Sequence, residues 1–202
     1  MKPYSNMMIA IPTRGNITIG LLPALFQWKE KGATIVMETA ILIDNARNRL
    51  TKSFLDSDKE YLLFIDSDMQ PNVDSIDRLL KHNKDIISGL HHVIHGYEDG
   101  LPIVIPSSST TMDIKENGKI TRTIAKEGTG LQKVEGLATS FLLIHRKVFK
   151  DWNRPWFKIK WNEDYTDFLG EDYWFCVEAR KRGFDVWTDT DVIIPHVKEV
   201  VL

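Results

Sequence analysis

Tyr61-Leu62-Leu63-Phe64-Ile65-Asp66-Ser67-Asp68 decides how the rest of this chain reads. Five apolar residues run directly into two acids separated by one serine. A continuous run of this kind, rich in aromatic and branched side chains, predicts a short strand buried on both faces. In an open α/β sheet, ligands bind beyond the carboxyl ends of the strands, which puts Asp66 and Asp68 at a binding edge. A strand period of two turns both carboxylates to the same side. Like charges held that close repel, and taking them out of water is costly unless a cation arrives. A hard divalent cation that also holds phosphate oxygens would offset that cost. The pair therefore reads in two ways: a metal-bridged site for a diphosphate-containing ligand, or a turn in which one Asp caps the next helix.

Working outward, the flanking sequence alternates strand and helix patterns. Met7 to Ile11 is an apolar strand stopped by Pro12, followed by the polar loop Thr13-Arg14-Gly15-Asn16. At the carboxyl end of a first strand, such a loop is a natural place to receive a nucleotide, or simply a turn with a solvated arginine. Leu21, Leu22, Leu25, Phe26 and Trp28 recur at helical spacing before Gly32. Ala33 to Met37 is a second strand, with Glu38 at its end as a ribose or base contact. Ile43 to Leu55 is a second helix in which Asp44, Arg47 and Asn48 share a face. Arg47 and Asn48 read either as contacts to the nucleotide or its diphosphate, or as a surface Asp44–Arg47 pair. Asp74 to His82 and Asp85 to Gly89 continue the rhythm as helix and strand.

Beyond residue 90 the rhythm loosens. His91, His92 and His95 cluster, but adjacent histidines in a strand face opposite ways, which disfavours a zinc site and favours one of them lining an acceptor or donor cleft. Leu101 to Arg122 predicts a loop and then a hairpin turning at Asn117-Gly118, with residues 107–111 as an acceptor-side loop. Gly136 and Ala138 allow a substrate to approach the backbone before the apolar strand 141–144. Trp152, Trp156 and Trp161 are either core or sugar platforms, with Trp161 assigned to the acceptor side. Glu171 and Asp172 open a helix that ends in basic residues and Gly183. They stabilise its positive end, and one of them is a candidate general base. His196 follows a last apolar stretch and is a candidate metal ligand.

The 202 residues suffice for one domain with a sizeable core. A net charge of -2 implies no general affinity for nucleic acid or anionic membrane. A single cysteine, Cys176, excludes an internal disulfide and sits in an apolar-periodic helix as packing. No apolar run reaches membrane-span length and the N-terminus lacks a signal-peptide core, so a soluble, cytoplasmic protein is expected.

In chain order, Pro12-Thr13, Asn45-Ala46-Arg47-Asn48, Phe64-Ile65-Asp66-Ser67-Asp68, Gly170-Glu171-Asp172-Tyr173 and His196 resemble a GT-A glycosyltransferase, near the large family-2-like group. The resemblance runs over nearly the whole chain. It implies an α/β fold with a Rossmann-like open mixed sheet flanked by helices, and 1–202 as one domain. Residues 1–100 would be the nucleotide-sugar-binding half and 101–202 the acceptor-binding half. It implies Mn²⁺ or Mg²⁺ held by Asp66, Asp68 and His196, and a UDP- or GDP-linked sugar donor met by Pro12, Thr13, Arg14, Glu38, Arg47, Asn48 and the Asp66-Ser67-Asp68 turn. A carbohydrate or other hydroxyl acceptor would lie near Gly136 and Trp161. Asp172, with Glu171 second, would deprotonate it. The chain departs from many relatives in having Met37-Glu38-Thr39-Ala40 in place of an acid-rich turn, and it lacks an arginine-rich motif after Glu171-Asp172. Alternatives are a sugar-phosphate nucleotidyltransferase, disfavoured by the short loop after the first strand, and a non-catalytic nucleotide- or glycan-binding module. A dehalogenase-type phosphatase would place its acid pair after the first strand, not the third.

Overall fold

The computed structural model describes residues 2–98, 101–106, 109–114, 120–161, 163 and 167–197. Its centre is a seven-stranded mixed sheet. The strands that build it are β1 (Met7–Thr13), β2 (Thr34–Thr39), β3 (Tyr61–Ile65), β4 (Ile86–Leu90), β9 (Leu131–Val134), β11 (Phe141–His145) and β14 (Val186–Ile193). They lie in the order β2-β1-β3-β11-β4-β14-β9. β1 pairs in parallel with β2 and β3, and β14 in parallel with β4. β11 runs antiparallel to both β3 and β4, and β9 antiparallel to β14. The carboxyl ends of β1, β2, β3, β4 and β14 therefore share one edge of the sheet, joined there by the amino end of β11.

Side-chain alternation sorts the core into two layers. Met8, Ala10, Leu62 and Phe64 face the layer holding α2 (Ile43–Leu55) and α4 (Glu171–Lys181), where Leu50, Phe54, Phe175 and Cys176 meet them. Met7, Ile9, Ile11, Leu63 and Ile65 face α1 (Leu22–Glu30) and α3 (Ser75–Leu80), against Leu25, Trp28, Ile76 and Leu79. β1 and β3 are buried on both faces, which is why they read as unbroken apolar runs. Trp152 and Trp156 belong to the first layer, with Trp152 stacked on Phe175 at 5.3 Å. Burial pushes the Cys176 thiol up to about 12, so it is packing and no nucleophile.

Outside the main sheet, β5 (His92–Glu98) pairs with β6 (Leu101–Pro106). This corrects the expected loop over 101–106: Pro102 and Pro106 lie in a two-stranded sheet, whose strands are both edges and tolerate proline. β7 (Ser109–Ile114) and β8 (Ile120–Ile124) form the expected hairpin, with Ile114 opposite Ile120. Its Asn117-Gly118 turn and residues 107–108 lie outside the described residues. β7 also pairs with β10 (Gly136–Leu137), and β12 (Lys160–Trp161) pairs with β13 (Phe168–Leu169). Among the described residues no helix is long and apolar enough to cross a membrane.

β4 can approach β14 closely because residue 89 is glycine. A Cβ there would stand 2.6 Å from the Val192 carbonyl oxygen, a rigid backbone atom. Gly89→Ala should destabilise the fold by about 1–3 kcal/mol through overpacking, read as a lower urea midpoint at unchanged m-value.

Candidate functional site at the carboxyl edge of the sheet

Asp66 continues the inward-facing alternation of β3 toward the α2/α4 layer, and there it meets Arg47. One guanidinium nitrogen lies 3.2 Å from Asp66 Oδ1, and the other pairs with Glu171 Oε1. Arg47 is 4% exposed and Glu171 9% exposed, so the pair is desolvated. Two acids from distant segments are thus brought together by one buried cation. In the structure the two terminal nitrogens of Arg47 meet protein carboxylates, and the helix face that looked free in sequence is met by the start of α4. The alternative Asp44–Arg47 surface pair is not formed, and Asp44 Oδ1 accepts from the Asn45 N–H at 2.8 Å.

Asp172 lies beside this cluster. Its carboxyl is held above the ordinary Asp range, first by desolvation, with the Asp66 charge adding to the shift. The nearby Arg47 charge and the Tyr173 backbone N–H, which donates to Asp172 Oδ1 at 2.8 Å, oppose it without cancelling it. Gly170 is what lets the acid fold back over the helix start, since a Cβ there would stand 2.9 Å from Asp172 Oδ1. Of the two acids opening α4, Glu171 is paired with Arg47, and Asp172 carries the raised carboxyl.

Asp68 turns the other way. Its Oδ2 lies 2.8 Å from His196 Nε2. His196 Nδ1 lies 3.2 Å from the His92 carbonyl oxygen, which orients the ring and presents Nε2 to Asp68. The segment carrying His196 is fastened to the turn by a bridge between Met69 and His196. The Gln70 N–H also donates to the Pro195 carbonyl at 2.8 Å, and the Val197 N–H to the Asp68 carbonyl at 2.9 Å. The expectation that the two carboxylates share a side is therefore corrected. Residues 66–68 leave the strand as a turn, and their side chains find partners in different directions.

Between them opens a cleft of about 510 Å³. Pro12, Thr13, Arg14 and Asn16 line it after β1, Ala40, Ile41, Ile43 and Ala46 along the start of α2, and Asp66, Ser67 and Asp68 at its acidic end. The Thr13 hydroxyl is taken up by its own loop, donating to the Asn16 carbonyl at 2.8 Å and accepting from the Gly15 N–H at 3.0 Å. Arg14 is exposed at the rim.

Other sequence-derived candidates fall elsewhere. Asn48 is not part of the cleft lining: its amide donates to the Phe157 carbonyl at 2.7 Å and accepts from the Trp156 N–H at 2.9 Å, pinning the tryptophan segment to α2. Glu38 pairs with Arg49 at 2.9 Å and is not part of that lining either. Gly136 is buried in β10, next to the Leu137 N–H that donates to Cys176 Sγ at 3.3 Å. Trp161 is 49% exposed and packs on Phe168 at 5.0 Å, in the short hairpin that leads into α4. Sequence reasoning missed the apolar wall at 40–46, which resembled an ordinary loop and helix start.

Among the described residues, no group of three or more His, Cys, Asp and Glu side chains is gathered in metal-holding geometry. Asp68 and His196 nevertheless form a partial donor set of one carboxylate and one imidazole. Small divalent cations are commonly bound by one or two carboxylates, with substrate phosphates and water completing the shell. Carboxylate suits Mg²⁺ and Mn²⁺, while imidazole admits a wider range of divalent metals, so the pair does not select one ion.

No protein-family model matches the sequence, and no curated protein sequence matches it. Among solved structures the chain is similar to A197 from STIV, with a TM-score of 0.59 and 16% identity over 98% of this chain and 96% of that chain. It also matches S. aureus TarS 1-349, with a TM-score of 0.48 and 13% identity over 96% of this chain and 59% of that one. The likeness to A197 is one of fold: a mixed α/β chain built on a seven-stranded mixed sheet flanked by helices.

Two outcomes test this geometry. Arg47→Met leaves Glu171 and Asp66 without their shared cation and should cost about 3–5 kcal/mol in denaturant unfolding, the penalty of breaking a buried pair. Asp172→Asn should do the reverse near neutral pH. A raised folded-state pKa means the folded protein favours the protonated acid, so ionised Asp172 opposes folding above that pKa. The variant should therefore melt above the wild type near neutrality, and the gap should close as pH falls toward the ordinary Asp value of 3.8.

Proposed function

We propose that this chain is a metal-dependent glycosyltransferase of the GT-A type, moving a sugar from a UDP- or GDP-linked donor to an acceptor hydroxyl. The observation that carries the reading is the two-ended cleft, apolar along Pro12, Ala40, Ile41, Ile43 and Ala46 and acidic at Asp66 and Asp68. Its volume falls within the range of about 300–1,000 Å³ usual for small-ligand sites. An apolar end suits a nucleobase and ribose. An acidic end repels a bare diphosphate, so a ligand that spans both ends needs a cation between its phosphates and the protein. Asp68 and His196 would hold that cation, with Asp66 close by in the same turn.

When bound, Mn²⁺ or Mg²⁺ would supply electrostatic stabilisation of the departing nucleoside diphosphate. The chain's own residues have separate tasks. Arg47 keeps Asp66 and Glu171 in place without facing solvent. Asp172, with its carboxyl held above the ordinary Asp range by burial, takes the proton from the acceptor hydroxyl as that oxygen attacks the anomeric carbon and the nucleoside diphosphate leaves. The exposed Trp161–Phe168 pair lies just ahead of Asp172 in the chain and suits an apolar sugar face.

Thermal melts with UDP, GDP and CDP, each with and without Mn²⁺, test the donor half of the reading. One diphosphate should stabilise the protein in a metal-dependent way, and Asp68→Ala should abolish that shift. Asp172→Asn should keep the shift and lose about 10²–10⁴-fold in sugar transfer. Stabilisation by no nucleotide under any condition would refute the proposal, and pyrophosphate release from a nucleoside triphosphate and a sugar phosphate would replace it with nucleotidyl transfer.

A further inference from the structure

His91 is a buried polar residue beside this site for which the proposed chemistry has no use. It directly follows β4 and is 5% exposed. Its Nδ1 is hydrogen-bonded to Ser140 Oγ at 2.7 Å. Ser140, itself 3% exposed, stands at the amino end of β11, and its carbonyl accepts the Asp66 N–H at 3.0 Å. The His91 ring also packs edge-on against His196, with centroids 5.6 Å apart and planes at 84°. His196 in turn meets Asp68. His92, the next residue, turns outward to Glu127 at 2.8 Å.

One imidazole therefore touches both supports of the acidic turn. Through Ser140 it fixes the strand end that holds the Asp66 backbone. Through the face of His196 it fixes the ring that holds the Asp68 carboxylate. The Asp66 carboxylate meets Arg47 and the Asp68 carboxylate meets His196. Their relative placement depends on how the β11 start and the 195–197 segment are held against each other, and His91 lies where those two segments come together. A phenyl ring at this position would keep the edge contact but leave the buried Ser140 hydroxyl without this partner, at the cost of a lost buried hydrogen bond.

We propose that His91 is a positioning residue that sets the spacing of Asp66 and Asp68 for joint capture of a divalent cation and a nucleoside diphosphate. This rests on the glycosyltransferase reading of the same cleft. Groups that orient a metal-ligating histidine from behind commonly change metal affinity by 10–100-fold when removed. The role is one of geometry, since His91 itself need not touch the cation or the nucleotide.

The test is Mn²⁺ titration of the full chain, followed by the electron paramagnetic resonance signal of free Mn²⁺, with UDP and with GDP present. Wild type, His91→Phe, His91→Asn and Ser140→Ala are compared, and metal-free melting curves are recorded for each. His91→Phe and Ser140→Ala should weaken Mn²⁺ capture by about 10–100-fold and broaden the bound-Mn²⁺ spectrum, with melting lowered by a few degrees but still cooperative. His91→Asn, whose amide can still reach Ser140, should recover part of the loss. Wild-type affinity and spectrum in both His91→Phe and Ser140→Ala would overturn the inference while leaving the glycosyltransferase reading intact. Should His91→Phe melt far below the wild type, Ser140→Ala decides: cooperative melting with native Mn²⁺ affinity overturns the role. Failure of the wild type to capture Mn²⁺ with either diphosphate would remove the metal-dependent reading itself, and the role of His91 with it.

Discussion

Charge neutralisation by Arg47 is the constraint on which the working edge of this molecule depends. The edge collects Asp66 from the end of β3 and Glu171 and Asp172 from the start of α4, three acids in a setting that excludes much of the water. Carboxylates in such company either take up protons or find a cation. Arg47 satisfies two of them from the side, out of α2, and leaves the third raised. A lysine would serve less well, because its point charge lacks the planar fork that reaches two carboxylates in different directions. The different settings of the acids follow from this choice: Glu171 and Asp66 are paired with Arg47, and the Asp172 carboxyl is held above the ordinary Asp range by burial.

The second organising fact is that the sheet contributes strand ends of both polarities to one edge. Parallel strands supply Pro12, Thr13, Asp66, Ser67 and Asp68 from their carboxyl ends. Antiparallel β11 supplies Ser140 from its amino end, directly opposite the end of β3. The site can thus brace the acidic turn from both the β11 side and the β14 side, where Pro195, His196 and Val197 close over it. The turn at the acidic end of the cleft is backed by hydrogen bonds from two separate segments of the chain.

Much of this was legible in the sequence, and the boundary of legibility has physical reasons. β1, β3, α2 and α4 announced themselves because each is either buried on both faces or buried along one helical stripe. Asp66 and Asp68 were marked by the apolar run that precedes them. The partner of Arg47 was not legible: helical spacing says that Asp44, Arg47 and Asn48 share a face but not what covers it. Strand order was equally hidden, since no local pattern reveals that a strand starting at Phe141 inserts between β3 and β4. The strand over 101–106 was masked by its two prolines. Ala40, Ile41 and Ile43 carried no chemical signal, although they supply the cleft with its apolar wall.

The insertion of β11 also governs when the protein can assemble during synthesis. β4 lies between β11 and β14, so its sheet neighbours are made roughly fifty and one hundred residues after it. The amino-terminal three strands can associate early, but β4 must wait on the ribosome with both edges unpaired. Contacts of such long sequence separation close slowly, and unpaired edges invite association with other chains meanwhile. Growth at low temperature, which slows aggregation, should therefore favour soluble yield more than any change confined to the first eighty residues.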